Sequence, residues 1–244
     1  MDFYGREQEL ALLEKIWNTV EKKARMVVIT GRRRIGKTLL SLVYSKGKLH
    51  LYLFISKKYE ILLCQEFVKQ IKGVFNVPVI GEELKTFREV FTLLLEIGKT
   101  LPFILIIDEI QEFLNINSSI FSDIQELWDR YLSESKIQLI MMGSIYSLMY
   151  RIFEDSKEPL FGRADRIIQL KPFTIAQLKS ILEINGRGNE ANVLFNYYLL
   201  TGGVPKYVEQ FLTEGVFEEN AILATICTFF NTKTTPINNL PHGF

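Results

Sequence analysis

The stretch VVITGRRRIGKTLL, residues 27 to 40, constrains the fold more than any other part of the chain. A β-branched apolar run ends at Gly31, four residues follow, and Gly36, Lys37 and Thr38 then open an apolar segment with helical spacing. The pattern is G-x-x-x-x-G-K-[ST] between a strand and a helix, the context that gives it chemical meaning; elsewhere it is only a basic turn. A loop that wraps a phosphate turns successive backbone N–H groups inward, so glycines stand where a Cβ would obstruct. Gly31, Arg32, Arg33, Arg34, Ile35, Gly36, Lys37, Thr38 and Leu39 are the candidate phosphate-binding residues. Lys37 suits neutralisation of β/γ-phosphates, the Thr38 hydroxyl suits ligation of Mg2+, and the following helix adds its positive N-terminal end.

The rest of the chain supplies the sheet that such a loop needs. Short apolar runs at 26–30, 51–55, 103–107, 137–143 and 165–170 read as strands. Helical spacing falls at 7–20, from Thr38 to Tyr44 and beyond, at 60–75, at 84–98 after a break at NVPVIG, and around Phe121 to Tyr131 with Ser118 and Ser119 as candidate N-caps. This alternation predicts a three-layer α/β domain with a mainly parallel five-stranded sheet and ligands at the carboxyl ends of the strands. From Pro172 the strand pattern stops, and PFTIAQLKSILEI and NEANVLFNYYLL read as helices. The expected organisation is a nucleotide-binding domain at 1–172, a small helical domain at 173–227 and an irregular tail at 228–244, whose abrupt change of character suggests truncation.

A phosphate loop needs an acid at the end of a neighbouring strand to hold the metal. FILIIDE provides it: the apolar run buries the strand and delivers Asp108 to its carboxyl end. Thr38 and Asp108 are thus the candidate metal ligands, and Glu109 is placed to orient or deprotonate an attacking water. No second base or acceptor signature accompanies them, which argues against phosphoryl transfer to a small acceptor.

Together FYGRE (3–7), GRRRIGKT (31–38), FILIIDEIQEF (103–113), LIMMGSIYSLM (139–149), PLFGRADRI (159–167) and TGGVPKY (201–207) resemble the archaeal-type ATPase family of AAA-like and STAND-like P-loop proteins, in order and spacing up to about residue 212. The resemblance implies an ATPase with ATP and Mg2+ as cofactors and with the helical domain as a lid that transmits the nucleotide state to a partner or effector. It places Phe3, Tyr4, Gly5 and Arg6 near the adenine, helix-entry packing being their other reading. Ser144 becomes a γ-phosphate sensor or water-positioning group, and Lys37, Glu109, Ser144 and Arg163 form the catalytic set. Arg163 would stabilise charge on the transferred phosphoryl group, in cis or on a neighbour, with Arg166 as a rival; pairing of either with Asp165 or Glu158 is the alternative. The turn of Gly202, Gly203 and Pro205 resembles one with which such lids approach the base. Members commonly continue into a winged-helix segment, which the end of this chain does not match.

With 29 basic and 28 acidic residues, bulk electrostatics support neither a nucleic-acid coat nor a membrane-surface protein. Arg32, Arg33 and Arg34 should instead ring the mouth of the site, with Lys22, Lys23 and Arg25 extending a local basic surface on which nucleic acid is a further candidate partner, with ATP as its regulator. Beyond the nucleotide, a protein partner or self-association is expected, and no membrane. The start MDFYGREQEL lacks a signal-peptide layout and no apolar run approaches the roughly 20 residues of a bilayer span, so a cytoplasmic location is expected. Cys64 and Cys227 read as free thiols, and His50 and His242 support no metal site or triad.

Overall fold

The computed structural model describes residues 3–76, 84–187 and 190–215. In chain order the helices are α1 (Glu7–Trp17), α2 (Lys37–Ser45), α3 (Glu60–Phe75), α4 (Phe87–Thr100), α5 (Phe113–Ile116), α6 (Ile120–Tyr131), α7 (Tyr146–Glu154), α8 (Ile175–Ile184), α9 (Ala191–Thr201) and α10 (Pro205–Thr213). The strands are β1 (Arg25–Thr30), β2 (His50–Phe54), β3 (Phe103–Asp108), β4 (Ile137–Gly143) and β5 (Arg166–Gln169), in one five-stranded sheet of order β2-β3-β4-β1-β5. Every pairing is parallel.

Both faces of the sheet are covered, so β3 and β4 are buried at every position and their sequences are apolar except for Asp108 at the end of β3 and Gln138 and the closing Gly143 in β4. Alternate residues serve opposite faces. Val27, Ile29, Ile104, Ile106, Ile140 and Met142 share a core with Leu13 and Ile16 of α1 and Leu40 and Tyr44 of α2. Met26, Val28, Leu105, Ile107, Leu139 and Met141 pack with α3, α4, α6 and α7 through residues such as Phe67, Phe91, Trp128 and Ile152. This is the three-layer α/β arrangement that the alternation of strands and helices predicts. Because β4 lies between β1 and β3, the ends of β1 and β3 stand apart, as at the crevices where open parallel sheets take ligands.

Local chemistry sets several boundaries away from the expected ones. Helix α4 starts at Phe87, because the Thr86 hydroxyl accepts from Glu89 N–H at 3.3 Å while Glu89 Oε2 accepts from Thr86 N–H at 2.9 Å. Helix α1 stops at Trp17, and Val20 reaches the interior from the turn that follows. Ser118 and Ser119 do not cap α6: Ser119 already has helical φ and ψ, and its N–H and hydroxyl both donate to Asn117 Oδ1, at 3.1 and 2.7 Å. Most of the expected break at NVPVIG, together with Cys227, His242 and the tail at 228–244, lies outside the described residues.

The chain divides into two compact units, the first ending at Lys171 and the second beginning at Pro172. The described part of the second unit contains α8, α9 and α10 and no strand. Its interior includes Leu178, Ile181, Val193, Tyr197, Val208 and Phe211, with the Tyr197 and Phe211 rings edge to face at 5.7 Å. Thr174 and Gln177 form a capping box that starts α8. Among the described residues no helix is long and apolar enough to cross a membrane.

Candidate functional site

The loop from Gly31 to Gly36 joins β1 to α2. Ile35 is its anchor, fully buried in the core beneath α1 and α2, while Arg32, Arg33 and Arg34 are exposed. Gly36 takes φ +94 as the N-cap of α2, and a Cβ there would meet open space. The position therefore needs glycine for its backbone angle, which turns the loop into the helix. Lys37 is 7% exposed and folds back on the loop, Nζ donating to Gly31 O at 2.7 Å and Arg32 O at 3.2 Å. Burial pulls its pKa below the ordinary lysine range; the carboxylates of Glu109 and Asp108 oppose that shift and Arg33 adds to it. The loop thus has a left-handed turn at Gly36, a positive helix end and a lysine folded back on it, which together fit a polyphosphate. Leu39 is half-buried in the first turn of α2.

Asp108, 3% exposed at the end of β3, faces the loop. Its Oδ2 accepts from the Thr38 hydroxyl at 2.7 Å and from the Tyr52 hydroxyl at 2.8 Å, and its Oδ1 accepts from Glu109 N–H at 2.9 Å. A hydroxyl and a carboxylate converging beside a phosphate loop are hard oxygen donors of the type Mg2+ takes, so these residues fit that ion. Burial, and then the hydrogen bond to Asp108, raises the Tyr52 pKa, which keeps the phenol protonated as a donor.

Glu109 has φ +56, a left-handed conformation that costs a non-glycine residue about 1–3 kcal/mol. Its Oε2 accepts from the Ser144 hydroxyl at 2.9 Å and from the side-chain amide of Gln111. The structure thus brings Lys37, Thr38, Asp108, Glu109 and Ser144 together from three neighbouring strand ends. Two further members escaped the sequence reading. Tyr52 is concealed in an apolar strand run, where a phenol among aliphatic residues is a weak signal. Gln111 looks like an ordinary polar residue two positions after Glu109, although it is 1% exposed.

The N-terminal segment reaches the loop through Arg6. This side chain is 5% exposed, and its guanidinium donates to Lys171 O at 2.7 Å, Ile35 O at 3.4 Å and Glu9 Oε1 at 3.2 Å. Gly5 N–H donates to Glu7 Oε1, Phe3 packs against the core beneath α1 and α2, and Tyr4 is half-buried. Pro205 is the first residue of α10 in the second unit, after Gly202 and Gly203.

Arg163 and Arg166 stand elsewhere. Arg166 starts β5 opposite Val27, and Asp165 N–H donates to Met26 O, so both arginines lie toward the amino ends of the strands. The phosphate loop is at the carboxyl ends, on the order of 15 Å away at about 3.3 Å per residue. Arg163 forks onto Asp129 at 3.0 and 2.6 Å and also donates to Pro159 O at 2.7 Å, rather than pairing with Asp165 or Glu158. A cis role for Arg163 at this chain's own phosphate site does not fit that placement. Asp165 pairs with Arg25, Glu158 pairs with Arg151, and Arg166 donates to Asp165 O.

Residues 3–211 match the family model described as "ATPase domain predominantly from Archaea". Over 209 residues the chain is 29% identical to an uncharacterised protein of Methanocaldococcus jannaschii, spanning 85% of this chain but only 44% of that relative's length. Among solved structures, the Walker-type ATPase of Pyrococcus abyssi superimposes with a TM-score of 0.69 at 20% identity, covering 95% of this chain and 75% of that one. The Aeropyrum pernix ORC1 protein, solved in complex with DNA, superimposes with a TM-score of 0.63 at 14% identity, covering 97% and 70%. The match runs unbroken from the N-terminal segment bound to the loop, through the Asp108–Glu109 strand end, to α10, and on that ground the chain belongs to the archaeal-type family of ATP-binding P-loop ATPase domains.

Proposed function

We propose that the chain hydrolyses ATP in a Mg2+-dependent reaction at the loop of residues 31–38, and that its helical unit, acting as a lid, passes the nucleotide state to a protein partner or an attached effector. The observation that carries this reading is the 2.7 Å hydrogen bond from Thr38 to Asp108, which joins the loop to the strand end beside Glu109. When bound, Mg2+ would neutralise phosphate charge, held by Thr38 and Asp108. Lys37 would hold the β/γ-phosphates, Glu109 would accept a proton from the attacking water, and Ser144 would orient Glu109. Tyr4, Gly5 and Arg6 are the proposed surroundings of the base. Arg163 we assign as a clamp between α6 and the segment leading into β5.

The test is ATP turnover with and without Mg2+ beside Lys37→Ala and Glu109→Gln, paired with a nucleotide-binding titration. Expected are turnover that needs Mg2+, loss of binding in Lys37→Ala, and retained binding with only residual turnover in Glu109→Gln. Full turnover in Glu109→Gln would remove that residue's role. Exposed Arg32, Arg33 and Arg34 beside the loop favour a second reading, a nucleic-acid-binding module regulated by the nucleotide with little intrinsic hydrolysis. DNA binding that falls with salt and changes with bound nucleotide would support it, and no binding at low salt would dismiss it.

A further inference from the structure

Glu109 is held by one oxygen only. Both side-chain donors, the Ser144 hydroxyl and the Gln111 amide, converge on Oε2, and among the described residues Oε1 has no hydrogen-bond donor. Two donors from different elements fix the carboxylate plane: Ser144 follows β4, and Gln111 sits in the single 3-10 turn Ile110–Glu112 that links β3 to α5. The left-handed φ of Glu109 begins that turn and sends the chain back toward β4.

The Gln111 side chain is enclosed. It is 1% exposed, and its Oε1 is buried with no hydrogen-bond partner among the described residues. A buried amide left with an unpaired carbonyl costs about 1–3 kcal/mol, and an apolar side chain of the same length would avoid that cost. The sequence around it is shaped to admit the amide. Gly143 is the last residue of β4, and a Cβ at that position would fall 2.3 Å from Gln111 Oε1 and 2.2 Å from Met149 Sδ. Any larger residue at 143 would drive Gln111 away from Glu109.

We propose that Gln111 is a positioning residue for hydrolysis: with Ser144 it locks Glu109 through Oε2, leaving Oε1 as the oxygen that takes the proton of the attacking water, and Gly143 makes room for the lock. The proposal rests on the reading of Glu109 as the base. Its energetic logic is orientation, since a buried donor on one oxygen confines the basic lone pairs of the other to a single direction. Gln111 acts through Glu109.

The experiment compares wild type, Gln111→Met, Ser144→Ala, Glu109→Gln and the double variant Gln111→Met/Glu109→Gln in single-turnover and steady-state ATP hydrolysis, with nucleotide Kd and melting temperature measured on each. Gln111→Met is expected to lower kcat roughly 10- to 100-fold while KM and Kd stay within about twofold of wild type and the melting temperature holds or rises, because the unpaired amide is gone. In the Glu109→Gln background the same change is expected to have no further effect on residual turnover. Unchanged kcat in Gln111→Met, or an equal further loss in the double variant, would overturn the proposal. Should Gln111→Met fail to fold, Ser144→Ala decides by the same criteria, since it removes the other donor to Oε2. Wild-type turnover by Glu109→Gln alone would overturn the base assignment itself, an outcome distinct from failure of the lock.

Discussion

Tyr52 donates its hydroxyl to Asp108 Oδ2 at 2.8 Å, reaching across from β2 to the strand end that faces the phosphate loop. Its parallel register sets Tyr52 beside Ile106 and Phe54 beside Asp108, so the phenol leans along the strand to meet the carboxylate. An outer donor of this kind orients a metal-binding carboxylate, and removing one typically costs about 10–100-fold in metal affinity or activity. Tyr52→Phe is therefore expected to raise the Mg2+ concentration for half-maximal turnover about 10-fold with little change in melting temperature. A Mg2+ titration checks it, and an unchanged midpoint would reduce Tyr52 to packing.

Arg163 and Asp129 make a forked pair on the side of the sheet remote from the loop. If the pair is a clamp, Arg163→Ala and Asp129→Asn should each destabilise the fold by roughly 1 kcal/mol, and the double variant should lose little more than either one. Turnover per molecule should stay within about twofold of wild type. Denaturant melts and ATPase assays at several protein concentrations check both points. Turnover that collapses in Arg163→Ala, and does so in a concentration-dependent way, would instead show the guanidinium acting on a neighbouring copy.

Glu89 gives the fold a pH dependence with a definite sign. N–H groups of Thr86 and Lys85 and the Thr86 hydroxyl hold its carboxylate below the ordinary glutamate value of 4.5. A depressed carboxylate stabilises the fold above the unfolded value, and that stabilisation is lost as pH falls through the folded one. At pH 7, Glu89→Gln is expected to be less stable by about 0.3–1 kcal/mol, the range for an acid at a helix N-terminus. Below pH 4.5 the difference should shrink toward zero. Urea melts of both proteins across that window check it, and a gap that persists at low pH would assign the effect to packing.

The fold was largely legible because its signals are local. A glycine-bracketed loop between an apolar run and a helix can be read from spacing alone, since the backbone angles at Gly36 and the position of Lys37 follow from residues adjacent in sequence. The predominantly apolar stretches of β3 and β4 announce strands buried on both faces. Asp108 and Glu109 follow directly from where β3 ends. Boundaries slipped where side chains compete for backbone groups, as with Thr86 at α4 and Asn117 ahead of α6.

What the sequence by itself determined is therefore the phosphate loop, the acidic strand end and the alternating α/β order, all set by interactions within a few residues. Strand order and register decided the rest. Tyr52 meets Asp108, and Ser144 meets Glu109, only because β2 and β4 lie on either side of β3, whereas Gln111 reaches Glu109 within one turn of the chain. Arg163 is taken away from the loop because the parallel direction of β5 puts the residues before it at the amino edge. Through that order and register the sheet sets the direction of each side chain that the sequence could only name.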